Sequence, residues 1–169
     1  MSKELLAGLQ IAEGFIPVDM SAAANDGDWV SLENFRSCLV VLYKAVGTAG
    51  QDPTLTIEQA TSAAGGGAKA LNFTRVHSKQ AATNLQGTGQ FTKVEQAAAN
   101  TYTHTDGAEQ AALWVVEIQS DDLDKANDFK FIRGRVADVG AAAQLGSLLY
   151  ILGNPRYETA PENAPSVLA

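Results

Sequence analysis

Four aspartates fall within nine positions of Ser120-Asp121-Asp122-Leu123-Asp124-Lys125-Ala126-Asn127-Asp128-Phe129, and carboxylates at that density can hold a metal or carry acid/base chemistry. The twelve-residue calcium loop needs oxygen ligands at its positions 1, 3, 5 and 12 and glycine at position 6. A register beginning at Asp122 puts Ala126 at the fifth position, Asn127 where glycine belongs and Arg133 at the closing acid; one beginning at Asp124 puts Ala126 third and Arg135 last. Neither coordinates calcium. The simpler expectation is structural: Ser120 or Asp121 caps a single turn, Asp122 and Asp124 lie near its positive end, and Asn127-Asp128 turns the chain into the next strand. A carboxylate pair drawn from Asp122 and Asp124 is the enzymatic alternative.

The remaining reactive side chains are few. His77 and His104 are the only histidines, and neither stands in a nucleophile-base spacing or a zinc spacing. His104 precedes an Asp-Gly turn signal and is expected on a surface loop. Cys38 is the only cysteine, which excludes an intrachain disulfide. It lies in the apolar run of residues 38–43, where a buried, inert thiol is expected. Gly65-Gly66-Gly67 lacks the spacing of a phosphate loop and is expected at a hairpin tip. Trp29 and Trp114 could stack on a sugar, but each lies in a strand pattern that favours a core position. Arg133 and Arg135 alternate with Ile132, Gly134 and Val136, aligning two cations on one sheet face, as a subunit contact or a solvated surface. No catalytic, cofactor-binding or metal-binding residues are assigned.

With 169 residues, 46% hydrophobic and 18% charged, the chain suits one domain with an ordinary core and a surface rich in small polar residues. Its formal net charge of -7 opposes direct binding to nucleic acid, which requires clustered cations. The first fifteen residues carry Glu4 and no uninterrupted apolar segment, so no secretory signal is expected, and no run reaches membrane-spanning length. Synthesis in a cytosol and no membrane partner follow as expectations.

Short apolar or alternating runs recur between Gly, Asn and Asp clusters, the pattern of an antiparallel β-sandwich or barrel. Strands are expected at 15–20, 29–32, 36–46, 54–59, 68–73, 91–95, 113–119, 129–136 and 145–152. Within 54–59, Leu55 and Ile57 point inward and Thr54, Thr56 and Glu58 outward. Trp114, Val116 and Ile118 share one face, and residues 129–136 are the expected hairpin partner of 113–119. The Ala-rich 95–100 suggests one helical turn, while 75–89 is too polar to assign. Residues 14–153 form the expected sandwich, preceded by an N-terminal arm (1–13). The C-terminal arm (154–169) carries three of the five prolines and cannot be a central strand; it frays or lies across a neighbouring subunit.

Several stretches resemble small virion structural proteins of tailed bacteriophages. They are Gly14-Phe15-Ile16-Pro17-Val18-Asp19, Gly27-Asp28-Trp29-Val30-Ser31-Leu32 and residues 47–57, followed by Val115-Val116-Glu117-Ile118 with Asp121-Asp122-Leu123-Asp124, residues 129–135, and 144–157. The resemblance implies an all-β, jelly-roll type sandwich that binds the outside of a capsid as a decoration, cement or minor capsid protein. It also implies a homo-oligomer, a trimer, whose partner is the major capsid protein and whose place is the virion surface. A tail, neck or spike component, or a carbohydrate-binding sandwich for host attachment, is the alternative.

Overall fold

The computed structural model describes residues 5–105, 108–157 and 160–168. Among the described residues twelve strands form: β1 (Leu9–Asp19), β2 (Asn25–Asp26), β3 (Val30–Ser31), β4 (Phe35–Lys44), β5 (Thr54–Ala60), β6 (Lys69–Ala70), β7 (Phe73–Ala81), β8 (Thr92–Ala99), β9 (Thr101–Thr103), β10 (Ala111–Gln119), β11 (Phe131–Val136) and β12 (Leu145–Pro155). The described residues contain short 3₁₀ turns and no α-helix. One sheet runs β1-β12-β4-β10-β7-β8; the other runs β2-β11-β5-β6, with β3 on β11 and β9 on β5. All described pairings are antiparallel. The chain is therefore the expected all-β antiparallel sandwich.

Period-2 alternation builds the core between the sheets. Cys38, Val40 and Leu42 of β4, Trp114, Val116 and Ile118 of β10, and Leu148, Tyr150 and Leu152 of β12 are buried against Leu55, Ile57, Ile132 and Val136 of the smaller sheet. Thr54, Thr56 and Glu58 point outward as expected. Gly134 marks a close approach of the layers, since a Cβ there would lie 2.9 Å from Leu148 Cδ2 and 3.0 Å from Val40 Cγ1.

Four expectations are corrected. Residues 95–99 belong to β8, because pairing with β7, including Arg75 opposite Glu95, outweighs the helical preference of alanine. β10 and β11 are not a hairpin: β10 lies between β4 and β7, whereas β11 lies beside β5, so residues 120–130 cross from one sheet to the other. Residues 9–13 extend the sheet as the first half of β1, paired with 149–153, in place of an arm. At the other end, Asn154 and Pro155 finish β12, and the segment beyond folds back so that Val167 is 4% exposed and its carbonyl accepts from the Ser31 amide at 2.9 Å. The apolar side chain of Val167 completes the chain's own core.

Candidate functional site

The acidic stretch is the crossover between sheets, and its carboxylates are committed to holding it. The capping residue is Gln119, upstream of the expected Ser120 or Asp121, and its amide donates to Asp122 Oδ2 at 2.8 Å. Asp121 pairs with Lys125. Asp124 pairs with Lys69 of β6 and accepts from Asn127 Nδ2 at 2.8 Å, while its own amide donates to Gln59 Oε1 at 2.9 Å. Asp128 takes the left-handed conformation (φ 60°) that ends the second 3₁₀ turn. The Lys125 hydrogen bond and charge hold Asp121 below the ordinary carboxylate range, and the Lys69 and Asn127 hydrogen bonds do the same for Asp124. A general acid working near neutrality needs the opposite shift.

Asp122 shares a cleft with a histidine. With Arg75, His77, Glu117 and Gln119 it lines an open cleft of about 390 Å³ beside β7 and β10. Within it Glu117 accepts from Gln119 Nε2 at 2.8 Å and His77 stands edge-on to Phe91 at 6.4 Å. Asp124 is held at Lys69, and His104 lies beyond β9, so the sequence candidates do not converge. Among the described residues no three His, Cys, Asp or Glu side chains gather as a metal set.

Cys38 is fully buried, and desolvation pushes its thiol well above the ordinary value. Trp114 is fully buried and meets Tyr102 edge-on at 4.9 Å. Trp29 lies just before β3, half-buried, with Arg133 stacked on its ring at 4.8 Å. Gly65 presses against Trp29 at φ +76°, where a Cβ would lie 2.8 Å from Trp29 Nε1. Arg133 and Arg135 share the outer face of the smaller sheet, where Arg133 Nε binds Glu58 at 2.8 Å and Arg135 Nε binds Asp26 at 2.8 Å. That face is polar and charge-paired.

The outer face of the larger sheet is the reverse. Register places Ile11, Ile151 and Leu39 in one row across β1, β12 and β4, and Leu149, Val41 and Val115 in the next across β12, β4 and β10. Tyr43 and Leu113 follow, with Leu145 at the end of β12. Ile11 is 53% exposed, Tyr43 52% and Leu145 59%. The middle of this face, on β12 and β4, is therefore apolar, while Glu117 and Gln119 of β10 are exposed on it, Glu117 opposite Leu39, and Ser147 lies opposite Tyr43. At strand and residue spacings of about 4.8 and 3.4 Å, four strands and three outward residues each span roughly 400 Å², with Glu13, Glu117 and Ser147 among them, a size typical of the largest patch on a monomer, which often carries function.

Sequence reasoning singled out the unbroken run at 38–43 without drawing this consequence. An apolar run of that kind, with the similar one at 148–152, is the signal of a strand buried on both faces. It also passed over Lys44, which ends β4 and is only 1% exposed. The Lys44 ammonium donates to the carbonyls of Gln110 and, at 3.2 Å, Ala45, while burial pushes it down to about 8 against the pull of Asp52 and Glu109. It clips the loop before β10 onto β4. No local pattern separates such a lysine from a solvated strand end.

No protein-family model matches the chain, and neither does any curated protein. Among solved structures, the crystal structure of SPBc2 prophage-derived protein YomS aligns with 10% identity and a TM-score of 0.47, covering 86% of this chain and 93% of that one. An overlap that loose bears on neither partner nor activity.

Proposed function

We propose that this chain is a structural protein of a tailed-phage virion, seated on the capsid exterior as a decoration, cement or minor capsid protein. It stabilises the shell through repeated contacts with the major capsid protein and with further copies of itself. The observation that carries the reading is the apolar outer face of the six-stranded sheet, which favours being covered over remaining in water. The short terminal turns at Leu5–Gly8 and Pro161–Asn163 lie side by side, and Leu5, Leu6, Tyr157 and Leu168 near the chain ends are exposed. They add exposed apolar side chains near both ends of the described chain. The net charge of -7 suits a position outside the shell, away from packaged DNA. Many modest contacts to a lattice act together at high effective concentration.

The test is to sediment purified chain with DNA-free shells of the phage that encodes it, and to image intact particles. Saturable co-sedimentation, with density on the outer lattice, is expected. Absence from particles together with no binding to shells overturns the reading.

A further inference from the structure

We propose that the outer face of the six-stranded sheet binds the same face of a second copy, in a two-fold contact whose axis runs along the strands at β4. This deepens the assembly role given to that face and rests on it. The strand registers align one row across the whole sheet: Glu13, Leu149, Val41, Val115, His77 and Lys93, from β1 to β8. Its middle is apolar. One end carries a carboxylate and the other carries His77 and Lys93, the latter paired with Glu95 at 2.7 Å, with Lys79 two residues further along β7.

A rotation about the strand direction at β4 lays the row on itself in reverse. Val41 then faces Val41 of the second copy, Leu149 faces Val115, and Glu13 faces His77. Tyr43, also on β4, meets its own counterpart at the axis. A two-fold axis across the strands would instead set Glu13 against Glu13 and the basic edge against itself. Charge complementarity selects the first arrangement. It is also the aligned packing that sheets prefer, about 10 Å apart. The five strands that overlap about this axis, β1, β12, β4, β10 and β7, measure roughly 24 by 20 Å at strand spacing, and with side-chain relief they approach the roughly 600 Å² per partner at the low end of specific interfaces. The polar face of the smaller sheet, with its internal ion pairs, offers no comparable surface.

A two-fold contact makes a dimer, whereas the family resemblance implies a trimer, so sedimentation equilibrium of the purified full chain separates them. We expect a dimer that Val41→Glu, which sets two carboxylates against each other at the axis, converts to a folded monomer. Thr56→Glu, on the smaller sheet, leaves the dimer intact. Glu13→Lys and His77→Glu each raise the dimer Kd about tenfold, and the two together restore it to within about threefold. If Val41→Glu does not fold, Val41→Cys in the otherwise native chain gives the same answer: a bis-maleimide of about 10 Å reach joins copies through position 41. A wild-type chain that stays monomeric at about 100 μM, or a trimer unaffected by Val41→Glu, overturns the proposal. So does a charge swap that fails to restore binding. Shell co-sedimentation is scored separately: a dimer that ignores shells sinks the virion reading alone, and a monomer that binds them sinks this one alone.

Discussion

The hydroxyl of Tyr150, on β12 of the larger sheet, accepts a hydrogen bond from the Gly134 amide on β11 of the smaller sheet at 2.8 Å. The same hydroxyl donates to the Asp28 carbonyl at 3.0 Å, so one buried phenol joins the two layers. Tyr150→Phe keeps the ring and orphans both groups. It is expected to cost about 1–3 kcal/mol, lowering Tm by roughly 2–4 °C per kcal/mol for a chain this long. Thermal unfolding followed by circular dichroism checks it, and an unchanged Tm rejects the role.

Gln59 works similarly at the crossover. Its buried side chain accepts from the Asp124 amide and donates to the Ala70 carbonyl at 3.2 Å. Gln59→Leu should destabilise by about 1–3 kcal/mol for each group left unpaired. Hydrogen exchange should accelerate at the Asp124 amide, and protection equal to wild type would show that the carboxylate pairs alone hold the crossover.

Removing residues 164–169 tests the return of the tail onto its own domain. The deletion exposes the pocket filled by Val167 and removes the acceptor of the Ser31 amide. A loss of about 1.5–3 kcal/mol follows from the side chain alone. Denaturant titration measures it, and a midpoint equal to wild type would return this segment to a free arm.

Lys44 makes stability depend on alkaline pH. Its amine is pushed down to about 8 in the fold, from an ordinary value of 10.5. Between those values the unfolded chain binds more proton than the folded one, so stability rises with pH across the window and the penalty is full below it. Lys44→Met removes that slope. Urea titrations of both proteins from pH 7 to about 10.5 should show the wild type gaining relative to the variant. Parallel curves would refute it.

Inward alternation was plain from the residues because it is a local property: Leu55 and Ile57, or Trp114, Val116 and Ile118, share a face by period 2 wherever the strand goes. The failure of the acidic stretch as a calcium loop was equally readable, since ligand spacing is set along the chain. The partners were not. Nothing near Asp124 in sequence announces Lys69 or Gln59, and nothing near Glu95 indicates that β7 will draw an alanine run into a strand.

The amino-acid order alone determined an all-β chain with its turns, its inward faces and its inert cysteine, because hydrophobic period and turn chemistry act over a few residues. Only the tertiary structure decided which sheet each strand joins, and so made residues 120–130 a crossover and returned Val167 to the core. It also decided that Leu149, Val41 and Val115 align on an uncovered face. Strand pairing joins residues tens of positions apart, and which surface remains open to a partner depends on all of those pairings together.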